Sequence, residues 1–182
     1  MPLEPLPMEK AFMLIEPGPA LLVTTRENGK NNVMTITWHM VTDFTPTIAL
    51  TTGPWNYSFH ALTHTKECVL CVPGVDLAEK AVSIGDCSGA DTDKFQKFGL
   101  TALPAAEVGA PLIEECLGCL ECRVEDYLSE PGIFLLRGVR AWVNNGRAER
   151  RTFHANGDGT FAADGETLNL RRLMEDKLPA GV

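Results

Sequence analysis

Positive charge is scarce in this chain. Sixteen lysines and arginines stand against 24 aspartates and glutamates, for a formal net charge of -8 and an isoelectric point of about 5.0. A phosphate polymer is held by a positive field, so nucleic acid is excluded as the main partner, while a small basic pocket for a single phosphate is not. No apolar run approaches the roughly 20 residues that cross a bilayer, and no membrane partner is expected. The opening MPLEPLPMEK has neither the basic region nor the apolar region of a secretory signal, so a cytoplasmic location is expected. In that compartment Cys68, Cys71, Cys87, Cys116, Cys119 and Cys122 are expected to be reduced thiols.

The signatures of several catalytic classes are also missing. There is no GxSxG elbow and no GxxxxGK[ST] phosphate loop. Gly85, Gly89 and Gly99 are not at dinucleotide-binding spacing. His60 and His64 lie one helical turn apart without the glutamate of a zinc protease between them, which reads as a solvated helix face. Cys116, Cys119 and Cys122 repeat every third residue, but the fourth cysteine and proline of an iron–sulfur run are absent. On one strand residues 116 and 122 point one way and 119 the other, so buried structural thiols are expected and no metal. Cys68 and Cys71 likewise fall on opposite faces. Cys87 differs, because it sits in a glycine-containing loop and could line a site.

What is present is mostly extended. With 182 residues the chain fits one domain over 1–182 with a well-filled core, and no repeat, low-complexity stretch or linker divides it. Leu21 to Val23 lead through an Asn28-Gly29 hairpin turn into NNVMTITWHM, residues 31–40. There Met34, Ile36, Trp38 and Met40 alternate with Thr35, Thr37 and His39, an apolar face backed by an uncharged, hydrogen-bonding one. DFTPTIALTTGP makes a third strand ending at Gly53-Pro54. A short helix follows with Asn56 or Ser58 as cap and Phe59, Leu62 and Thr63 inward. ECVLCVPG is a short apolar strand, and DLAEKAVSI a helix with Asp76 and Glu79 at capping-box spacing. A further helical turn follows the loop GDCSGADTDKFQKFGL, with Asp93 as its cap. GCLECRVEDYL and GIFLLRGVRAWV are two more strands. The tail turns at Gly157-Asp158-Gly159 before two short extended pieces. About six mostly antiparallel strands with two or three short helices predict a small β-barrel with helices between strands. A parallel doubly wound sheet does not fit, because helices and strands do not alternate.

A dispersed set of polar residues remains. Asn32, Thr35 and Thr37 mark one strand; Thr51, Thr52, Asn56 and Ser58 surround the next strand end and helix start; Ser88, Gly89 and Lys94 lie in the later loop. A helix N-terminus, a serine hydroxyl and a lysine together suit one phosphate.

Taken in order, NVMTITWHM, PTIALTTGPWNYSFHAL, ECVLCVPG, SGADTDKF…GLT and PLIEECLGCLECRV resemble the flavin reductase-like family, particularly its flavoredoxin branch. The tail GDGTFAADGETLNLR is similar too, so that the resemblance runs from about Pro19 to Arg171. It implies a mainly β, Greek-key-like antiparallel FMN-binding split barrel, a homodimer, and flavin near the subunit interface. Carried over, the motif N-x-M-T-x-[ST]-W places Asn32, Val33, Met34, Thr35, Thr37 and Trp38 along the flavin ring. Thr51 and Thr52 approach the ribityl chain and phosphate. Asn56, Ser58, Cys87, Ser88, Gly89 and Lys94 complete the cofactor site, with Ser58 and Lys94 on the phosphate. The uncharged threonine face is then expected to hydrogen-bond the flavin edge. Trp55 stands where many relatives carry a basic residue for the phosphate, which places more weight on Lys94. His154 lies in a tail segment that could reach the flavin. The resemblance implies an FMN-dependent oxidoreductase taking electrons from NADH or NADPH for a flavin or another acceptor. A flavoredoxin-type carrier without a nicotinamide site, working with an electron-transfer protein, and a binding module that has lost flavin are the alternatives.

Overall fold

The computed structural model of the chain describes every residue except 1, 175, 176 and 180. A short strand β1 (Leu3–Leu6) and a 3-10 helix (Met8–Leu14) precede the first hairpin, β2 (Leu21–Glu27) and β3 (Lys30–Ile36). Asn28 and Gly29 sit at φ of 50° and 78° between Glu27 and Lys30, which pair across the strands. Two consecutive positive φ values give the primed turn whose twist matches a tight hairpin, and Asn-Gly is the pair that adopts it most readily.

The stretch 31–40 does not continue as one strand. It breaks after Ile36, and β4 (His39–Asp43) starts two residues later and pairs with β5 (Thr47–Thr51). Met34 and Ile36 are buried as the alternation predicts, whereas Trp38 and Met40 are exposed. At the break the chain changes partner. Trp38 gives its carbonyl to the Thr51 N–H, and the His39 ring turns inward to hydrogen-bond the Pro19 carbonyl through Nε2 at 2.7 Å. Burial holds the His39 imidazole below the ordinary histidine range.

Helix α1 (Ser58–Thr65) leads to β6 (Glu67–Val72), then through a 3-10 turn at Val75–Leu77 into α2 (Ala78–Gly85) and on to α3 (Lys94–Phe98). The short strands β7 (Ala102–Leu103) and β8 (Leu112–Ile113) pair with each other. The long β9 (Gly118–Leu128) and β10 (Ile133–Asn144) form the spine, and β11 (Phe153–Ala155) with β12 (Phe161–Ala163) flanks the Gly157–Gly159 turn. The strand count expected from sequence was low because several of these pieces have only two to five residues. Capping also differs. No side chain caps α1 or α2, and Asp76 pairs with Arg147 instead. Asp93 does cap α3, accepting from the Gln96 N–H at 3.0 Å.

The large sheet runs β3-β2-β6-β9-β10-β5-β4, with β1 added alongside β10, and every pair is antiparallel. It does not close. The strands β3 and β4, neighbours in sequence, lie at opposite ends of the order, and the link at Thr37 and Trp38 spans the opening. This is the split of the expected barrel. Strands β2 and β6 and the first five residues of β9 (118–122) are buried on both faces, which is why they read as nearly unbroken apolar runs. Leu21, Val23, Leu70, Leu120 and Cys122 join a core with Ile48, Phe134 and Leu62 of α1. Their neighbours Leu22, Val69, Cys71 and Cys119 join a second core with Ala81 and Ile84 of α2 and Phe95 of α3.

The cysteines follow that division, with one correction. Cys68 and Cys71 occupy opposite cores as expected. Cys116, however, lies in the turn before β9 and so escapes the alternation. It shares the second core with Cys119 and Cys71, and the Cys119 and Cys71 sulfurs are 3.4 Å apart. Burial pushes the thiols of Cys71, Cys116, Cys119 and Cys122 above the ordinary cysteine range. His64 pairs with Glu27 at 2.9 Å on the surface, in keeping with a solvated helix face.

Candidate flavin cleft

Beside the split, β3 runs under the loop that joins α2 to α3, and the start of α1 closes the third side. A cavity of about 230 Å³ lies between them. Asn32, Met34 and Thr35 of β3 line it, with Asn56 and Ser58 from the α1 entry and Cys87, Ser88, Gly89 and Lys94 from the loop and α3. A smaller hollow of about 140 Å³ continues along the chain past Thr35, Thr37, Trp38 and Thr51. The topology thus gathers residues separated by up to 62 positions (32 to 94) into one groove. Val33 is not among them: it faces the opposite way, into the core beside Ala81 and Ile84. Thr52 does not line the groove either; its Oγ1 accepts from the Asn56 amide at 2.9 Å and so orients that side chain. His154 lies elsewhere, with Nδ1 at 3.0 Å from the Gly18 carbonyl and Nε2 at 2.8 Å from Asp164.

Lys94 is 4% exposed, and its Nζ donates to the Ile84 carbonyl at 2.9 Å. No carboxylate pairs with it among the described residues. Burial pushes its ammonium below the ordinary lysine range, and the positive charge of Lys97 adds to that. A buried cation with only a neutral carbonyl partner is an incomplete arrangement, which an anion in the cavity would complete. Close by, the uncapped N-terminus of α1 adds partial positive charge. Ser58 Oγ is buried and accepts from the Asn32 amide at 2.8 Å, with Thr25 Oγ1 a further 3.4 Å neighbour. With its lone pairs engaged, the Ser58 proton is left to donate into the cavity.

Thr35 is arranged in the opposite sense. Its hydroxyl donates to the Ala81 carbonyl at 2.5 Å, so its lone pairs alone face the groove. Toward the groove Thr35 therefore presents an acceptor and not a donor.

Several lining residues were not foreseen. Trp55, noted from sequence only as a departure, lies flat over Gly53, where an added Cβ would come 2.2 Å from its ring. Tyr57, Gly85 and Asp86 also line the cavity. Lys30 reaches over its rim to donate from Nζ to the Gly89 carbonyl at 2.6 Å, 5.2 Å from the Tyr57 ring centre. The position of Lys30 directly after the hairpin turn, two residues before Asn32, was the available signal.

Residues 13–161 match the family described as flavin reductase like domain. The chain belongs to this family. A curated relative, protein YddH of Escherichia coli, is 28% identical over 90% of this chain and 96% of its own. Among solved structures, an FMN-binding domain of a flavin reductases-like enzyme from Shewanella baltica superposes with a TM-score of 0.82 at 24% identity, over 92% of this chain and 96% of that one. Flavoredoxin of Desulfovibrio vulgaris gives 0.76 at 23% identity, over 83% and 88%. As a flavin reductase-like chain it has the split-barrel fold that the sequence resemblance implied, and the groove described above lies at the split.

Proposed function

We propose that this flavin reductase-like protein binds FMN in the groove and uses it as an oxidoreductase, taking electrons from NADH or NADPH and passing them to flavin or another acceptor. The observation that carries the reading is Lys94, a buried ammonium with no carboxylate partner among the described residues, set in a cavity beside an uncapped helix start. Lys94, Ser58 and the α1 N-terminus would hold the phosphate. Thr35 would accept from an N–H of the ring, and Asn32 keeps Ser58 turned toward the phosphate. Bound FMN supplies the electron-accepting ring, and the protein's part is to seat it, orient it and limit solvent access.

The exposed Trp38 and Trp55 leave the outer side of the groove uncovered in a single chain. We infer that a second copy covers it, making a homodimer. A flavoredoxin-type carrier is the second reading, favoured by the similarity to the Desulfovibrio protein. Mixing the FMN-loaded protein anaerobically with NADH or NADPH separates the two: bleaching of the flavin band is expected for the reductase. If neither nicotinamide bleaches it while a reduced electron-transfer protein does, the carrier reading replaces it. Protein that fails to quench FMN fluorescence at all would remove both.

A further inference from the structure

A second hollow, of about 250 Å³, lies behind the candidate phosphate seat, lined by Thr25, Glu27, Asn28 and Ala61, and shares Asn32, Tyr57 and Ser58 with the main cavity. Nothing in the flavin mononucleotide reading uses it. What separates the two spaces is a clasp of three residues from three elements. Lys30, at the tip of the β2–β3 hairpin, donates to the Gly89 carbonyl at 2.6 Å and lies 5.2 Å from the centre of the Tyr57 ring. Gly89 is pressed so closely onto β3 that a Cβ there would fall 2.2 Å from Asn32 Oδ1 and 2.7 Å from Tyr57 Cδ1. The hairpin tip, the α2–α3 loop and the α1 entry are therefore tied together just beyond Ser58.

We infer that this Lys30–Gly89–Tyr57 clasp is a specificity device: it ends the site at a single phosphate and shuts a flavin dinucleotide out of the space behind. A phosphate on Ser58 and Lys94 that carried a second phosphate and an adenosine would have to pass between Lys30 and Gly89. That passage exists only if the lysine releases the carbonyl. With the clasp open, the hollow could take an adenosine, with the Glu27 carboxylate and Thr25 Oγ1, whose own proton goes to Ser58, left as acceptors for its amine and ribose hydroxyls. The His64 ring already hydrogen-bonds one Glu27 oxygen at 2.9 Å, which leaves the other oxygen to accept from a neutral nucleoside.

The inference rests on the flavin reading of the cleft, and one set of titrations tests the two separately. The full chain, freed of bound flavin, is titrated with FMN, FAD and riboflavin by fluorescence quenching, alongside Lys30→Ala and Lys30→Arg. The wild type is expected to bind FMN at least tenfold more tightly than FAD. Lys30→Ala should lower that ratio at least fivefold, while Lys30→Arg, which can still donate to the carbonyl and stack on the ring, should keep it. Lys30 is exposed, so all three proteins should melt alike. A wild type that binds FAD as tightly as FMN overturns the inference and leaves FMN binding intact. So does a Lys30→Ala protein with an unchanged ratio. No binding of either nucleotide by the wild type removes the flavin reading itself, and the clasp reading with it.

Discussion

Lys94 is buried in the folded chain with no counter-ion among the described residues, and its ammonium is held below the ordinary lysine range. A lysine that loses proton affinity on folding binds protons less tightly in the native than in the unfolded state. At neutral pH, where both states keep the proton, its charge therefore opposes folding, and the opposition fades only as pH rises through the folded-state value toward the unfolded one. A bound phosphate reverses the balance. Replacing Lys94 by Met, which keeps an apolar stem of similar length, should weaken FMN by about ten- to a hundredfold. That corresponds to the roughly 1.5–3 kcal/mol of a charge-assisted hydrogen bond. Riboflavin, which lacks the phosphate, should lose little, and the flavin-free variant should melt no lower than wild type. Equal losses for FMN and riboflavin in a calorimetric titration would place the phosphate elsewhere. Lys94 and Ser58 were legible in sequence because lysine after a capping aspartate and serine at a helix entry are recognisable local signals. The direction of Thr35 was not, since its donor is claimed by the Ala81 carbonyl 46 positions away. Val33 was drawn into the candidate set by its place inside the motif, although the strand alternation turns it to the core.

Among the elements, the segment between β7 and β8 shows how a loop that puts Val108 and Ala110 into the second core has its backbone fixed as well. Glu121 of β9 is fully buried, and its carboxylate accepts from the N–H groups of Ala106, Glu107 and Val108 and from the Trp142 indole at 2.6–3.2 Å. Glu67 holds the Gly109 N–H at 2.8 Å, and Arg123 holds the Glu107 carbonyl. A carboxylate is suited to this place because it is acceptor-only and can serve four donors. Glu121→Gln puts an NH₂ group among those donors and leaves at least one buried N–H unpaired. It should destabilise the protein by about 2–3 kcal/mol in urea unfolding, while FMN affinity at the distant groove stays unchanged. A loss under about 0.5 kcal/mol would mean that water replaces the carboxylate readily. The strands that pair most extensively were readable from their apolar runs. The split of residues 31–40 into β3 and β4 was not. Trp38 and Met40 continue the alternation in sequence, but the chain leaves its first partner strand at Thr37. That change of partner is decided by residues as distant as Thr51 and Pro19.

At the scale of the whole molecule, an antiparallel sheet that stops short of closing has free edges at the ends of its main order, β3 and β4, and edges of that kind must be covered or blunted. The β3 edge lies beside α2 and the candidate groove. Among the described residues no further strand pairs with the β4 edge, and Met40 and Trp38 near it are 62% and 70% exposed, with Phe44 and Trp55 exposed as well. Trp38 and Trp55 both border the candidate groove, and with Met40 they leave more large apolar surface to solvent than scattered surface hydrophobes require. If a second copy covers them, the interface and the flavin share a boundary, and breaking one should loosen the other. Met40→Glu introduces a charge two residues from Trp38 on the β4 edge without touching the core. It should convert a dimer to a monomer in light scattering coupled to gel filtration and weaken FMN binding at least severalfold. The fold should survive, because Met40 contributes little buried surface of its own. A wild type that runs as a monomer would refute the covering copy directly. A monomeric Met40→Glu with full FMN affinity would instead show that one chain seats the flavin alone, with Trp38 and Trp55 serving as its outer wall.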